Sequence, residues 1–166
     1  IMAQDAYLKG NYALNTSARK IENIFLARDF FERAIRLDEN FAQAYSALAM
    51  TYTLAGSLTL LSPQEAYPMA EKAARRALEI DSRVAAAYVV LGEVEADYNW
   101  NWAAADTNFK RALELAPNLA AAHQAYSEFL ARQSRFEEAD YHSNAAQQLD
   151  PTRINYVAVR ALHYLY

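Results

Sequence analysis

Histidine and carboxylate side chains are the groups of this chain that could most directly support catalysis or hold a metal ion. The three histidines, His123, His142 and His163, lack the H-E-x-x-H spacing that places two imidazoles on one helical face. Aspartate and glutamate are frequent, but the pattern sets no pair of them in a recognisable apolar pocket that would favour acid–base chemistry. The sequence contains no glycine-rich loop that could cradle a phosphate. We therefore expect no enzymatic activity, no cofactor and no bound metal.

The composition is typical of a folded domain and narrows the classes of partner. Of 166 residues, 54% are hydrophobic and 22% are charged, and the formal net charge is −4. A net negative charge provides no basic field for nucleic acid, so we expect none to be bound. The chain lacks cysteine, an apolar run of about 18 residues that could span a membrane, and a signal-peptide pattern. These features favour a cytoplasmic protein, and the initial Ile1 suggests a piece of a longer chain.

Helices must position any functional side chain, because apolar residues recur at three- and four-residue spacings almost throughout. Alanine is abundant, whereas only three glycines and four prolines occur. We predict nine helices, over about 3–14, 20–37, 41–55, 63–80, 84–98, 103–116, 119–133, 136–149 and 153–166. Ser62 and Glu65 have the spacing of a capping box for the fourth helix. Gly56 is predicted to end the third helix in a left-handed conformation, and Pro68 to bend the fourth.

A repeat of about 34 residues organises these helices. The second helix of each predicted pair ends in a similar segment: RAIRLDEN (33–40), RALEIDSR (76–83), RALELAPN (111–118) and AAQQLDPT (145–152). Ala112 and Ala146 are 34 residues apart, as are Pro117 and Pro151. Such a period predicts stacked helix pairs, because each pair has too little core to be stable alone.

The first helices of the pairs carry a second pattern, W-x2-L-G-x2-Y, in degenerate form. Its positions are occupied by Tyr45, Leu48, Ala49 and Tyr52, then by Tyr88, Leu91 and Gly92, and then by His123, Tyr126, Ser127 and Leu130. These offsets resemble the tetratricopeptide repeat (TPR). The resemblance implies an all-α, right-handed solenoid of antiparallel helix pairs. It divides the chain into repeats at about 3–40, 41–82, 84–118 and 119–152, with 153–166 beginning a further repeat or capping helix.

A narrower resemblance concerns the segments DAYLKGNY, SLTLLSPQEAYP and YNWNWAAADTNFKRALELAPN. They look like TPR regions appended to bacterial signalling proteins and winged-helix transcriptional regulators. The resemblance implies a regulatory or protein-contacting role within a larger protein.

In TPR proteins the first helix of each pair lines a concave groove in which ligands usually lie. Carried over by offset, the predicted partner-binding residues are Met50, Thr53, Glu93, Asp97, Gln124, Glu128 and Arg132, with Gln43, Ser46, Leu54 and Val89 at further groove offsets. The three carboxylates make this surface mildly acidic, which suits a peptide bearing lysine or arginine beside apolar residues. The alternative is that these are ordinary solvated side chains.

Two turns depart from the regular spacing and are further candidates. Trp100 and Trp102, in the turn 98–102, are either exposed as a secondary contact for a partner or wedged between repeats. The apolar insertion 57–62 is either functional or folded over the helix ends. Arg33, Arg76 and Arg111 recur on the second helices and weakly suggest nucleic acid. Acidic residues three positions after two of them, at Glu79 and Glu114, favour solvated ion pairs instead.

The sequence therefore predicts a non-enzymatic scaffold that binds a peptide, a helix or a neighbouring domain in its groove. Two alternatives stay open. The groove and the 57–62 insertion could enclose a small molecule. Alternatively, the last helix could mediate self-association through its apolar residues, which are Val157, Ala161, Leu162 and Leu165.

Overall fold

The computed structural model describes residues 1–15 and 21–151, and this part of the chain is built from α-helices. They are α1 (Met2–Asn15), α2 (Ile21–Leu37), α3 (Ala42–Ser57), α4 (Pro63–Ile80), α5 (Ala85–Asp97), α6 (Trp102–Leu115), α7 (Ala120–Arg132) and α8 (Phe136–Leu149). The predicted all-α class is confirmed, and the predicted helix limits agree to within a few residues. The predicted helix 153–166, with its self-association residues and His163, lies outside the described residues.

Each helix packs most extensively against its neighbour in sequence, giving the pairs α1–α2, α3–α4, α5–α6 and α7–α8. Successive pairs stack through α2 on α3, α4 on α5 and α6 on α7. In addition, α3 packs on α5 and α5 packs on α7, which brings these three first helices together along one side of the stack. Helices α3, α5 and α7 therefore form one continuous side of the stack. We call the surface formed by α3, α5 and α7 the groove.

Two glycines allow the paired helices to approach closely around a phenylalanine ring. A Cβ atom on Gly92 of α5 would lie 2.7 Å from Cε1 of Phe109 on α6, and one on Gly10 of α1 would lie 2.5 Å from Cε1 of Phe31 on α2. Both rings are almost completely buried. The first helix of each of these two pairs thus provides a hollow for an aromatic ring of the second, which fixes the register of the pair.

The prediction for Gly56 is wrong. Helix α3 continues through Gly56 to Ser57, and the left-handed residue beyond it is Thr59, with φ of 57°. Gly56 is instead required by packing, because a Cβ atom there would lie 2.9 Å from Cβ of Ala66 on α4. The turns α5–α6 and α7–α8 also contain a left-handed non-glycine residue, Trp100 and Ser134. These helices are therefore followed by a residue in the left-handed conformation, which the type of that residue does not predict.

The start of α4 follows the predicted pattern. The Glu65 carboxylate accepts hydrogen bonds from the Ser62 backbone N–H at 3.3 Å and from the Ser62 hydroxyl at 2.7 Å. Pro68 lies inside α4, which continues through it to Ile80. Of the preceding insertion, Leu61 packs against the core whereas Leu58 is 46% exposed. The insertion is therefore partly folded over the helix ends, as one of the two interpretations of it predicted.

A polar network centred on Asp106 joins α6 to α7 and to the α7–α8 turn. One Asp106 carboxylate oxygen accepts from the Tyr126 hydroxyl at 2.8 Å and from Arg135 at 2.8 Å, and the other pairs with Lys110 at 2.6 Å. Burial alone would raise the pKa of Asp106, but the hydrogen bonds from Lys110, Arg135 and Tyr126 outweigh it and hold the pKa at about 2. The ionised carboxylate therefore stabilises the contact between the third and fourth helix pairs.

An Asp106→Asn variant is expected to lose about 2 kcal/mol of unfolding free energy near pH 7, because the folded-state pKa lies about two units below the ordinary value of 3.8. This stabilisation is complete above about pH 4 and is lost as the pH falls through 2, so wild type and variant should converge in acid. Urea unfolding of wild type and variant near pH 7 and near pH 2 measures the difference in unfolding free energy at each pH. Asp5→Asn, which breaks only an exposed pair with Lys9, is the control and should cost less than about 0.5 kcal/mol. An equal cost for the two variants would contradict the prediction.

Candidate partner-binding groove

The structure brings the predicted acidic residues of α5 and α7 together on one surface. Asp97, at the end of α5, forms an ion pair with Arg132 at the end of α7, across 35 positions of sequence. One turn earlier on α7, the Gln124 side-chain amide donates to Glu128 at 2.8 Å. Asp97, Glu128 and Arg132 all contribute to the electrostatic environment of Glu93. The residues that the repeat offsets selected separately on two helices therefore form one charged cluster.

Glu93 lies at the centre of this cluster, in the middle of α5. Burial raises the pKa of Glu93 to about 7, and the negative charges of Asp97 and Glu128 add to the rise, whereas the polar Thr53 hydroxyl opposes it. The positive charge of Arg132 lowers the pKa but does not compensate for these effects. Some of the Glu93 surface remains accessible to solvent. The groove therefore contains a carboxyl group that changes charge near neutral pH.

Helix α3 contributes the wall opposite α7. The Thr53 side chain is 7% exposed, and its hydroxyl lies 3.0 Å from the Met50 carbonyl oxygen, to which it donates. Met50 and Leu54 are partly exposed beside it, which gives the groove an apolar component near the carboxylates. Gln43 is exposed near the start of the helix.

Two of the additional groove offsets are buried rather than accessible. Val89 is 3% exposed and packs in the core formed by α5, α6 and α7. Ser46 is also 3% exposed, and among the described residues its hydroxyl has no hydrogen-bond partner. The offsets therefore identify the correct face of the odd-numbered helices, but close helix contact removes part of that face from solvent.

Tyr67 belongs to this environment although the sequence interpretation did not include it. It is buried on α4, stacks on Tyr98 with ring centroids 5.5 Å apart, and has a pKa raised by burial and by the charges of Asp97 and Glu93. The repeat offsets predict groove residues only on the first helix of each pair, so Tyr67, which lies on a second helix, was missed. In the sequence, Tyr67 could have been recognised as an aromatic residue that closely follows the capping segment 62–65 of α4.

The turn 98–102 presents its tryptophans to solvent. Trp100 is 72% exposed and Trp102 is 50% exposed, so the interpretation that they wedge between repeats is wrong. The turn is held by the Asn101 backbone N–H donating to the Glu95 carbonyl at 2.8 Å and by the Asn101 side chain capping α6 at the Ala104 N–H. Both indoles thus stay available at the end of α5, and a contact with a partner remains a prediction.

Two of the three recurring arginines of the second helices, Arg76 and Arg111, form local ion pairs, as the charge pattern favoured, whereas no ion pair is formed by Arg33 among the described residues. Arg76 pairs with Glu79 at 2.9 Å and Arg111 with Glu114 at 3.0 Å, all on exposed side chains. These two arginines therefore each have an acidic neighbour on the same helix, and the absence of a nucleic-acid contact stays a prediction.

The sequence interpretation also missed a pair of histidines on α7 and α8. The Nδ1 atoms of His123 and His142 are 2.8 Å apart, and His123 Nε2 lies 2.9 Å from the Pro117 carbonyl oxygen. Because a carbonyl only accepts, His123 Nε2 donates to it, and His123 Nδ1 is the atom that faces His142. Burial and the neighbouring His123 lower the pKa of His142 to about 4, so His142 is neutral at pH 7. His123 occupies a packing position, as expected from its offset.

Within residues 1–15 and 21–151, no three histidine, aspartate or glutamate side chains come together in an arrangement that could hold a metal ion. Over the same ranges, every helix is too short or too polar to cross a bilayer.

The fold matches that of known TPR structures. The Arabidopsis OM64 TPR domain is 22% identical over 77% of this chain and 93% of its own, with a TM-score of 0.60. MamA is 17% identical over 90% of this chain and 78% of its own, with a TM-score of 0.57. YrrB, described as a TPR protein with an unusual peptide-binding site, is 23% identical over 98% and 78%, with a TM-score of 0.53. At such low identity these likenesses establish the fold, which is the TPR type of α-solenoid.

Sequence comparison matches a smaller part of this chain than structure comparison does. No protein-family model matches the chain. The protein O-mannosyl-transferase Tmtc1 of Drosophila melanogaster is 36% identical over 80 residues, which is 48% of this chain. The match spans only 9% of the length of that protein. The activity named for the transferase is therefore not carried over to this chain.

Proposed function

We propose that this chain is a non-enzymatic interaction scaffold whose groove binds a peptide segment or helix of a protein partner. The observation that carries the proposal is the charge balance of the groove. Glu93, Asp97 and Glu128 converge from two helices, and Arg132 is the cation of the same cluster. The cluster is therefore net negative when its carboxylates are ionised, and the partly exposed Met50 and Leu54 adjoin it. A segment that places a lysine or arginine beside apolar residues complements both features.

The experiment that tests this proposal selects peptides from a random phage-displayed library against the wild-type chain. Affinities of the selected peptides are then measured for two triple variants of equal charge change. The groove variant carries Glu93→Gln, Asp97→Asn and Glu128→Gln. The control variant carries Glu71→Gln, Glu79→Gln and Glu114→Gln, which remove carboxylates of the second helices α4 and α6.

The selected peptides are expected to contain lysine or arginine and to bind the groove variant about 10- to 100-fold more weakly than wild type, because charge pairs at the centre of an interface are lost. The affinity of the control variant should differ from that of wild type by less than about threefold. The two triple variants lose the same net charge, so long-range attraction changes equally in both, but only the groove variant loses charges that contact the peptide. Circular dichroism verifies that both variants are folded. Peptides without basic residues, or equal losses in the two variants, would overturn the proposal.

We further propose, on the resemblance of three sequence segments to TPR regions of bacterial signalling proteins and winged-helix regulators, that the scaffold is the regulatory part of such a protein and acts in the cytoplasm. The segments are DAYLKGNY, SLTLLSPQEAYP and YNWNWAAADTNFKRALELAPN. Sequencing the gene on both sides of the region that encodes this chain tests the proposal. An encoded kinase, cyclase or DNA-binding domain is expected, and a neighbouring domain of a different class would count against it.

A further inference from the structure

We propose that a cavity between α6 and α8 binds a small neutral aromatic molecule that carries a hydroxyl group, and that His142 hydrogen-bonds this hydroxyl. The residues that line the cavity differ from all the predicted groove residues. The cavity is therefore a second binding site of the scaffold, and its occupant does not depend on the function proposed for the groove.

The cavity lies beside the start of α7, where the third and fourth helix pairs meet, and has a volume of about 440 Å³. Sites for small molecules in proteins typically have volumes of about 300–1,000 Å³. Its apolar walls come from α6, from the turn that follows it and from α8, and they are Leu113, Pro117, Ala145 and Leu149. Leu149 is 41% exposed, so the cavity is accessible from solvent.

The equivalent position in the second helix pair is filled by an arginine side chain. Tyr45 has the first position of the W-x2-L-G-x2-Y pattern on α3, and the Arg76 guanidinium of α4 lies over its ring, 6.0 Å from the ring centroid. Arg76 also pairs with Glu79 at 2.9 Å. The third helix pair has the same three residue types, which are Tyr88, Arg111 and Glu114. Tyrosine, arginine and glutamate thus occupy this part of the repeat twice.

The fourth helix pair has a different residue at each of these positions. Alignment of its ending AAQQLDPT with RALELAPN places Ala145 at the arginine position and Gln148 at the glutamate position. His123 has the tyrosine position, and all three of these residues line the cavity. The cavity therefore lies where a long arginine side chain packs in the second pair. Because the same repeat can fill this position from within the chain, its opening in the fourth pair indicates a role in binding rather than in folding.

The imidazoles of His123 and His142 form the polar end of the cavity. Their Nδ1 atoms face each other at 2.8 Å, and His123 Nε2 lies 2.9 Å from the Pro117 carbonyl oxygen, which leaves His142 Nε2 as the ring nitrogen available to a ligand. The rings of Tyr126 and Tyr141 hold the His142 ring from two sides, with centroids 4.7 and 5.1 Å away. A ring nitrogen that is fixed in this way binds a hydrogen-bonding group without further loss of side-chain freedom.

The lining of the cavity determines the chemical class of the ligand. Among the described residues that line it, none is an aspartate, glutamate, lysine or arginine, so a charged ligand would lose hydration without gaining a counter-charge. A hydroxyl both donates and accepts, and it therefore matches His142 Nε2 with or without a proton on that nitrogen. The apolar walls and the exposed ring of Tyr141 favour an aromatic body. These features together describe a phenol.

The test is a titration of the full nitrogen-15-labelled chain with p-cresol near pH 7, followed by amide proton–nitrogen NMR. The dissociation constant is expected to be on the order of 1 mM, as for a ligand of this size. Amide shifts are expected within residues 113–123 and 141–149, whereas the groove residues 89–97 should not respond. The same titration with 4-methylbenzoate, which has the ring and methyl group of p-cresol but a negative charge, should give a dissociation constant at least about 10-fold higher.

Three variants locate the site. Ala145→Arg introduces the arginine of the second and third pairs, which should fill the cavity and weaken p-cresol binding at least about 10-fold. Asn144→Arg adds the same charge at a neighbouring exposed position of α8 and is the control, with an affinity within about twofold of wild type. His142→Phe keeps a ring but removes Nε2, and it should weaken binding about 3- to 10-fold. The NMR spectra verify that each variant is folded.

The inference is overturned if p-cresol produces no saturable shifts around the cavity, if 4-methylbenzoate binds as tightly, or if folded Ala145→Arg keeps the wild-type affinity. Unchanged p-cresol binding by His142→Phe would overturn the hydrogen bond to this imidazole, and this variant decides the matter even if Ala145→Arg does not fold. The groove proposal is tested separately with basic peptides, so the two can fail independently.

Discussion

A Glu93→Gln variant is expected to be more stable than wild type by about 2 kcal/mol near pH 8, and by less than about 1 kcal/mol near pH 5. The reason is the raised pKa of Glu93, about 7 in the folded chain against an ordinary value of 4.5. Between pH 4.5 and about pH 7, Glu93 is ionised in the unfolded chain but stays protonated in the folded chain. The stability of wild type therefore falls as the pH rises from about 4.5 through 7, and the loss is complete above that. The full shift would correspond to about 3 kcal/mol, which we reduce because Glu93 is partly exposed.

Urea unfolding of wild type and Glu93→Gln at the two pH values measures this prediction. Glutamine retains the shape of the side chain but has no charge to bury, so only the pH-dependent part of the stability should change. Glu79→Gln is the control, because Glu79 is exposed on α4 and its Arg76 partner is exposed too. The control should show a difference below about 0.5 kcal/mol at both pH values. If the difference between Glu93→Gln and wild type were the same at pH 5 and pH 8, the raised pKa would be wrong.

This stability prediction and the proposed binding role of Glu93 point in opposite directions for the same substitution. Glu93→Gln should stabilise the fold at pH 8 and at the same time weaken the binding of a basic peptide. A residue that lowers stability where it is ionised is typical of binding and catalytic sites, where charge is placed for a ligand rather than for folding. A variant that gained stability without losing affinity would indicate that Glu93 has no part in recognition.

Replacing Phe109 with alanine is expected to lower the unfolding free energy by about 3 to 5 kcal/mol, the largest effect predicted for this chain. The ring is 1% exposed, fills the hollow at Gly92, and lies 5.6 and 5.4 Å from the rings of Tyr126 and Phe129, measured between centroids. It therefore joins α6 both to α5 of its own pair and to α7 of the next. Alanine would leave a cavity at the point where three helices meet.

The measurement is urea or thermal unfolding followed by circular dichroism, with Trp102→Ala as the matched aromatic control. Trp102 begins the same helix but is 50% exposed, so its removal should cost less than about 1 kcal/mol. Because a solenoid is stabilised by contacts between neighbouring repeats, the Phe109→Ala transition is also expected to broaden as the third and fourth helix pairs uncouple. Similar costs for the two variants would show that the ring does not act as the packing centre.

Much of the architecture could be predicted because its signals are local in sequence. The three- and four-residue spacing of apolar residues determines which face of each helix is buried, and the 34-residue recurrence of alanine and proline positions determines that helix pairs stack. The degenerate repeat pattern placed Gly92 at its glycine position, and the structure shows that the Phe109 ring occupies the space above it. Gly56 shows the limit of such signals, because its residue type permits a left-handed turn but the helix passes through it.

The sequence by itself thus determined the fold class, the helix pairs and the face of the odd-numbered helices on which a partner is predicted to bind. Only the tertiary structure decided how the residues of that face interact. It placed Asp97 on Arg132, Tyr67 near Glu93, and His123 against His142, all pairs that are distant in sequence. The physical reason is that helical periodicity depends on neighbours within one turn. The charge state of Glu93, in contrast, depends on burial and on distances to groups of three helices, which exist only after the chain has folded.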